Sequence, residues 1–279
     1  MAVIFNKDDV EKEALNEHVH VQRLITPERV NSDSVLTEIW YVGPDTSVDF
    51  TIAREDMSWA HILEGQAELR TESSTTEVNQ DHFLLLPNGV NSKITSADGA
   101  VVFRAIVPIA NRFDPGWGET TSNLRCIDWT NEPVLNSEFD ARKRIYMLTP
   151  KLSGTKVAKG EMIIYPPETM ASNHHHEGAE HFQVILKGSA TFHLNEQPHK
   201  VKAGDTVYIY DYERHFIIND GDEDLIFIEY FVPGVYKTTW ATDAPVCTWN
   251  PSGSDIKGGI PAREIAAHSS AEAHTRDDL

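Results

Sequence analysis

The sequence predicts an all-β protein in which one β domain occurs twice. Two observations support this fold class. From Val35 onward, short apolar runs recur about every ten residues with turn residues between them, a spacing that is typical of β-sandwiches and β-barrels. In addition, segments of the first half of the chain recur in the same order in the second half, which indicates a tandem repeat.

Four pairs of matching segments define the repeat. In two pairs the second segment lies 123 positions after the first, and in the other two pairs it lies one or two positions further along the chain. The matching segments are Pro44-Asp45-Thr46 with Pro167-Glu168-Thr169, Ile62-Leu63-Glu64-Gly65 with Ile185-Leu186-Lys187-Gly188, Asp81 with Asp205, and Val107-Pro108 with Val232-Pro233. We therefore divide the chain into an N-terminal arm (1–34), a first domain (35–109), a connector (110–143), a second domain (144–234) and a C-terminal extension (235–279).

The arm contains one predicted helix and one predicted strand. Asp8 to Glu17 combines capping residues with good helix formers, which favours a short helix. Val19-His20-Val21 then predicts a strand. We interpret His18 and His20 as ordinary residues of this strand, because no acidic residue or glycine follows them at a spacing that suits a metal site.

The connector and the extension lie outside the repeat. The connector carries Trp117 and Trp129, and we expect it to be ordered and packed on the domains, since a free linker seldom contains two tryptophans. In the extension, Thr239 to Pro251 is predicted to fold back over a barrel, and Pro261 to His274 has a helical pattern. We expect the extension to be partly disordered or to dock on a partner subunit.

The composition excludes some classes of partner. The formal net charge of −19 argues against nucleic acid and anionic membrane surfaces, which require clustered Lys and Arg. No apolar run approaches the roughly 20 residues that span a bilayer, and no secretory signal is visible at the start, so we predict a cytoplasmic protein. Cys126 and Cys247 are predicted to be reduced thiols.

The stretch from Ser172 to Gly188 concentrates potential metal ligands ahead of an aliphatic run. Residues two apart on a strand point to the same face, so His174 and His176 can face one point while His175 faces away. A third histidine, His181, lies early on the next predicted strand, and His215 follows a turn after a long apolar strand. This spacing predicts a metal site.

These motifs resemble those of the cupins, which are written G(X)5HXH(X)3–4E(X)6G and G(X)5PXG(X)2H(X)3N. The first pattern matches His174, His176, His181 and Gly188, with histidine in place of the glutamate, and lacks the leading glycine. The second matches Gly204, His215 and Asn219, with Tyr210 and Tyr212 in place of proline and glycine. The resemblance covers about 70 residues directly, and with the repeat the whole chain resembles a bicupin, with two jelly-roll (double-stranded β-helix) barrels and short flanking helices.

The resemblance implies a ligand set of His174, His176, His181 and His215, and it makes a homodimer the expected assembly. Glu180 is the alternative to His181, but the spacing to Gly188 favours His181. At the displaced positions the first domain has Thr51, Ala53, Ser58 and Asn91, none of which is a strong ligand for a transition metal. We therefore predict one divalent transition metal per chain, in the second domain only.

Four further residues are candidates for the chemistry. Glu229 lies on the last predicted strand among apolar residues and could act as a base with a raised pKa, or lie on the surface. Tyr210 is a candidate hydrogen-bond donor, and Arg214 could hold a substrate carboxylate or be solvated. Gln183 has the same strand parity as His181 and is expected to face the cavity.

A centre rich in histidine and poor in carboxylate favours Fe(II), with Zn, Ni, Mn or Cu as alternatives. The first interpretation is an Fe(II) dioxygenase that oxidises an enol, diketone or phenolic compound, as in the three- and four-histidine cupins that the site resembles. The second is non-redox Lewis-acid chemistry by an isomerase, lyase or cyclase. The third is a bicupin that binds a small molecule without turnover.

Overall fold

The computed structural model describes residues 1–72, 74–120, 122–273, 276 and 278–279, which are almost entirely β. The first eleven strands are β1 Val3–Asn6, β2 Glu13–Ala14, β3 Val19–Ile25, β4 Leu36–Val42, β5 Thr46–Thr51, β6 Met57–Arg70, β7 Thr75–Asn79, β8 His82–Leu86, β9 Asn91–Ser96, β10 Ala100–Val107 and β11 Arg125–Asp128. The other strands are β12 Leu135–Ser137, β13 Lys143–Leu148, β14 Lys159–Tyr165, β15 His174–Glu177, β16 Glu180–Lys187, β17 Ser189–Leu194, β18 Gln197–Lys202, β19 Asp205–Ile209, β20 His215–Ile218, β21 Leu225–Val232, β22 Lys237–Trp240, β23 Thr248–Pro251 and β24 His268–Ser269.

Helices are short in the described part of the chain. The α-helices are single turns, α1 Pro27–Val30 and α2 Pro150–Ser153, and three 3₁₀ turns occur at Lys7–Asp9, Ala110–Arg112 and Trp129–Asn131. Each α-helix begins with proline after a threonine whose hydroxyl accepts a backbone N–H, so both are capped turns. No helix among the described residues has the length and apolar character needed to cross a membrane.

The chain divides into two compact units. The N-terminal barrel consists of Asp8–Trp129, and the C-terminal barrel consists of Met1–Lys7 with Thr130–Leu279. In the N-terminal barrel, β11-β8-β6-β10-β4-β3-β2 form one layer, and the second half of the long strand β6 pairs with β7 and β9, of which β9 also pairs with β5.

The C-terminal barrel has the same strand pairing. Its larger sheet has the order β1-β19-β16-β21-β14-β13-β12-β23-β24, and its smaller sheet has the order β18-β17-β20-β15-β22. Here β16 and β17 take the place of the two halves of β6. The extension predicted from the sequence contributes β22, β23 and β24 to these sheets.

The repeat is confirmed by two backbone features that recur at the predicted displacement. Leu63 of β6 and Leu186 of β16 are both unpaired bulge residues against the following long strand. Gly65 and Gly188 follow these bulges with φ of 77° and 80°. A Cβ on either glycine would lie 2.3 Å or 2.6 Å from a backbone carbonyl oxygen, so both positions require glycine.

Each barrel buries its own apolar core. Phe50, Leu84 and Val102 belong to the core of the N-terminal barrel, and Phe192, Ile209 and Phe227 belong to that of the C-terminal barrel. Alternation along the strands points one set of side chains inward, which is what positions the functional residues described below.

Two predicted helices are wrong. Lys7–Asp9 is a 3₁₀ turn and Glu13–Ala14 is a strand that pairs with β3, so sheet pairing replaces the helix expected from Asp8 to Glu17. Residues 261–273 contain no α-helix, because His268–Ser269 pairs with β23; the last residue of that predicted helix, His274, lies outside the described residues. Local propensity is overridden by tertiary pairing in both cases.

Candidate metal centre

The four predicted histidines are brought together inside the C-terminal barrel. His174 and His176 lie on β15, and His181 is the second residue of β16. His215 begins β20, where its Cα pairs with that of His174. The ring centroids of His176 lie 4.8 Å from those of both His174 and His181. His215 is 4.3 Å from His174 and 4.7 Å from His181.

Three of these histidines meet the distance criterion of a metal site. In the part of the chain that the structure describes, ligand atoms of His174, His176 and His215 lie within 4.8 Å of one another. Nδ1 of His174 donates to the Ser172 carbonyl oxygen at 2.7 Å, and Nδ1 of His215 donates to the Glu213 carbonyl oxygen at 2.9 Å. Since a carbonyl oxygen only accepts, Nε2 of both rings keeps its lone pair for a ligand.

His176 and His181 complete the cluster. Nδ1 of His176 lies 3.1 Å from the Thr238 hydroxyl, and its Nε2 is buried without a hydrogen-bond partner. Nε2 of His215 and both ring nitrogens of His181 are also buried and unpaired. Buried polar atoms are rarely left unpaired, so these nitrogens fit a bound metal ion.

The cluster is neutral at physiological pH. Burial lowers the pKa of His174, His176 and His181 well below the ordinary value, and it lowers the pKa of His215 to about 4. The neighbouring imidazoles lower the pKa of the first three further, since two protonated rings would repel each other. Neutral imidazole is the form that binds transition metals.

Glu229 and Gln183, two of the predicted chemical residues, lie beside the cluster. Oε1 of Glu229 is 3.8 Å from Nε2 of His181. Nε2 of Gln183 donates to the same carboxyl oxygen at 2.6 Å. Both side chains are buried, which excludes the alternative of a surface position for Glu229.

A second carboxyl group faces Glu229 from the next strand. Glu161 of β14 pairs with Glu229 of β21, and the two carboxyl groups share a hydrogen bond. Burial, and then the charge of Glu161, raise the pKa of Glu229 to about 8. Glu229 therefore retains its proton near neutral pH. A carboxyl pair lies beside the histidine cluster, although the clustered ligands include no carboxylate.

Two of the histidines, His174 and His176, and the carboxyl pair line one small cavity of about 60 Å³. Three cationic side chains also line it, Arg142, Arg144 and Lys159. Its apolar walls include Phe231, Tyr236, Trp240 and Trp249. A cavity of this size and polarity suits a ligand of a few heavy atoms.

Tyr210 and Arg214 are not among the residues that line the cavity. The Tyr210 ring contacts that of Tyr208 at 5.4 Å, and Nη1 of Arg214 is buried without a hydrogen-bond partner. Their roles stay predictions. Glu180, the alternative ligand, accepts a hydrogen bond from the Tyr208 hydroxyl at 2.8 Å, so the structure brings His181 to the cluster instead.

Sequence reasoning missed Arg144, Lys159 and Glu161. The sequence does contain a pattern that could have identified them. Arg144 lies among apolar residues on β13, and Lys159 and Glu161 lie two residues apart on the apolar strand β14. Charged residues on one face of an otherwise apolar strand indicate a polar cavity. The sequence alone does not show that these strands neighbour β21.

Residues 161–231 match the family profile described as Cupin domain. This segment is therefore similar to cupin domains. The oxalate-binding protein of Thermotoga maritima is 38% identical over 63 residues, which cover 23% of the chain and 52% of that protein. The chain thus spans about half the length of the curated relative that it matches.

Solved structures show the same fold over most of the chain. Two variants of oxalate decarboxylase from Bacillus subtilis have TM-scores of 0.69 and 0.68 with 15% and 16% sequence identity. Each comparison covers 85% of this chain and 78% of the other. These matches confirm the bicupin fold. The decarboxylase contains Mn(II) centres.

The arrangement combines two chemical capabilities. The buried imidazoles provide neutral donors for one divalent ion, and the carboxyl pair can hold or release one proton within a few ångströms of it. The surrounding aromatic side chains limit access of water, which strengthens electrostatic interactions in the cavity.

Proposed function

We propose that the C-terminal cupin domain is a metal-dependent enzyme that performs proton transfer on a small organic substrate. The observation that carries this proposal is the position of Glu229, whose Oε1 lies 3.8 Å from Nε2 of His181. A carboxyl group with a pKa raised to about 8 is suited to act as an acid or a base near neutral pH. The reaction class is that of an isomerase, lyase or decarboxylase.

His174, His176 and His215 would hold the ion, with His181 as the fourth ligand. Imidazole donors favour Fe(II), Zn, Ni or Cu, and the Mn(II) of the structurally similar decarboxylase adds manganese. When bound, the ion supplies Lewis acidity that stabilises negative charge on a substrate oxygen.

The protein residues perform the remaining steps. Glu229 takes a proton from the substrate or returns one to it, and the charge of Glu161 helps to raise the pKa of Glu229. Gln183 orients the Glu229 carboxyl group through its hydrogen bond. Phe231 and Tyr236, which stack at 4.2 Å, shield the site from water.

The second candidate is the Fe(II) dioxygenase predicted from the sequence, acting on an enol, diketone or phenolic compound. The observation that favours it is the neutral donor set, which leaves a bound ion its full charge and room for exchangeable ligands. A bicupin that binds without turnover is the third candidate, and the name of the oxalate-binding relative favours it.

The experiment that separates these candidates combines oxygen consumption with product detection. Protein loaded with Mn(II), Fe(II) or Zn(II) is incubated with oxalate and other small acids, enols, diketones and phenols. The proposal predicts turnover without net oxygen consumption, and a loss of about 10²–10⁴-fold in Glu229→Gln. Glu180→Gln is the matched control, because that carboxylate lies on the same strand pair and bonds Tyr208.

Oxygen consumption in proportion to turnover would support the dioxygenase instead. Saturable binding of a ligand that is never converted by any metal form would support the binding role. Full activity of Glu229→Gln would overturn the assigned proton transfer.

A further inference from the structure

Lys159 is a buried cation in the candidate active-site cavity. It begins β14, and its side chain is 3% exposed. In the sheet register it pairs with Phe231, which pairs with His181 on the next strand. The backbones of Lys159 and His181 are therefore two strand spacings apart, about 10 Å. The Phe231 ring lies between them and stacks on His181 at 4.9 Å. The ammonium group reaches the histidine cluster through the cavity that Lys159 lines together with His174 and His176.

The ammonium group of Lys159 has one polar partner. Nζ donates to the Tyr236 hydroxyl at 3.1 Å, and no ion pair joins it to a carboxylate of the described residues. Rings of Tyr146, Phe231 and Tyr236 surround it at 4.9–5.7 Å. An ammonium group has three donors, and leaving a buried one without an anion is costly.

The carboxyl groups of the cavity attract Lys159 electrostatically but make their close contacts with other residues. Oε2 of Glu161 lies 3.1 Å from Nε of Arg144, and the Glu229 carboxyl group accepts from Gln183 and bonds Glu161. Arg142, the remaining cation, is paired with Asp140 at 2.7 Å. Of the three cationic residues that line this cavity, Lys159 is thus the one without an ion-pair partner among the residues that the structure describes.

A second cavity reaches Lys159 from another side. Its volume is about 410 Å³, and Lys159 and Ala273 line both cavities. Lys151 and Lys156 also line it, as does Arg276, which is paired with Asp278. An excess of positive charge beside the shared lysine favours the approach of an anion.

The N-terminal barrel lacks this group. Leu36 occupies the position displaced by 123 residues from Lys159, and it pairs with Ile106, which pairs with Ser58. The barrel that contains the histidine cluster therefore has a cation at this position, and the barrel without the histidines has leucine there.

We infer that Lys159 binds a carboxylate group of the substrate. The substrate class is then a small organic anion that offers an oxygen donor to the metal at one end and a carboxylate to Lys159 at the other. This inference rests on the proposed function, because it names the substrate class of the same site.

The test measures binding to the Mn(II)-loaded full chain by calorimetry. The probes are oxalate, malonate and succinate, each compared with its uncharged diamide. At least one dicarboxylate is expected to bind more tightly than its diamide, and Lys159→Met is expected to weaken it by about tenfold or more while the diamide is unaffected. Lys159→Arg keeps the charge and is expected to retain the preference for the dicarboxylate.

Metal content and circular dichroism are measured first for each variant, with Lys187→Met as the control, since Lys187 is exposed and paired with Glu223. If Lys159→Met is misfolded, Lys159→Gln takes its place. Protein without metal would contradict the proposed function. Metal-loaded protein that binds diamides as tightly as dicarboxylates, or unchanged dicarboxylate affinity in the lysine variant, would overturn this inference and leave the metal site intact.

Discussion

In each barrel, four residues on neighbouring strands lie side by side in one row, and the charged residues in the two rows differ. In the C-terminal barrel the row consists of Gln183, Glu229, Glu161 and Tyr146, and in the N-terminal barrel of Ala60, Arg104, Glu38 and Arg23. The members of each pair are 123 or 125 positions apart in the chain. The framework of the repeat is kept, Glu161 and Glu38 have the same charge, and the sign of the charge changes between Glu229 and Arg104.

In the N-terminal barrel the row neutralises itself. Nη1 of Arg104 lies 3.6 Å from Oε2 of Glu38, and Nε of Arg104 donates to the Ser58 hydroxyl at 3.2 Å. Arg104 and Ser58 thus occupy the positions that Glu229 and His181 have in the other barrel. A structural ion pair fills the interior there, whereas the C-terminal barrel keeps two carboxyl groups beside unpaired imidazoles.

The cross-strand pair at the ligand positions differs in the same way. His174 pairs with His215, and Thr51 pairs with Asn91 with its hydroxyl 3.0 Å from the amide oxygen. Thr51 and Asn91 form a hydrogen bond with each other, whereas Nε2 of His215 is buried without a hydrogen-bond partner. The backbone is the same at this position in both barrels, so the candidate metal site depends on the identity of a few side chains.

The largest expected effect is the loss of metal in a double variant of this pair. His174→Ala/His215→Ala is expected to abolish metal binding, because two of three clustered donors are removed. Thr51→Ala/Asn91→Ala removes the matching pair of the other barrel and is expected to retain about one equivalent per chain. Elemental analysis of purified protein measures both, and full occupancy in the histidine variant would refute the site.

The next effect compares Glu229 with Arg104. Glu229→Gln is expected to reduce turnover by about 10²–10⁴-fold while unfolding changes by less than about 1 kcal/mol. Arg104→Met is expected to leave turnover unchanged and lower the free energy of unfolding by about 2 kcal/mol, since Glu38 loses an ion-pair partner. Steady-state assays and urea unfolding give the two quantities; a catalytic loss in Arg104→Met equal to that of Glu229→Gln would contradict the division of roles.

Both glycines after the bulges are expected to matter to a similar degree. Gly65→Ala and Gly188→Ala place a Cβ against a carbonyl oxygen at positive φ, so each is expected to lower the free energy of unfolding by about 1–3 kcal/mol. Gly253→Ala is the control, because its φ is 80° but no atom lies within 4 Å of the added Cβ. Equal stability of all three variants would show that the close contact is relieved at no cost.

The smallest expected effect is a pH dependence specific to the C-terminal barrel. The pKa of Glu229 is raised from 4.5 in the unfolded chain to about 8, so the folded protein holds an extra proton between these values. Stability of the metal-free protein relative to Glu229→Gln should therefore fall by about 1 kcal/mol or more as the pH rises through this window. Urea unfolding at several pH values measures it, and a stability relative to Glu229→Gln that rises with pH would have the wrong sign.

Much of the site could be predicted from linear spacing. Alternation along β15 identified His174 and His176 and excluded His175, whose Nε2 lies 3.5 Å from the Glu177 carboxylate. The glycine spacing selected His181 over Glu180. The comparison of the halves identified Thr51 and Asn91 as the counterparts that lack ligands.

Two segments of the fold could not be predicted from local sequence. Helix propensity misled at Asp8 to Glu17 and at Pro261 to His274, because pairing with β3 and β23 determines the backbone there over the described residues. Tyr210 and Arg214 were chosen because they precede His215 in the sequence, and their roles stay predictions.

The sequence by itself determined the repeat, the bulge glycines and the histidine set, because each depends on spacing within a strand or its adjoining turn. Only the tertiary structure decided that Glu161, Lys159 and Arg144 face Glu229 and the histidines. Those residues lie on strands β13 and β14, more than 60 positions from β21, and their register is set by sheet pairing and a bulge rather than by local sequence.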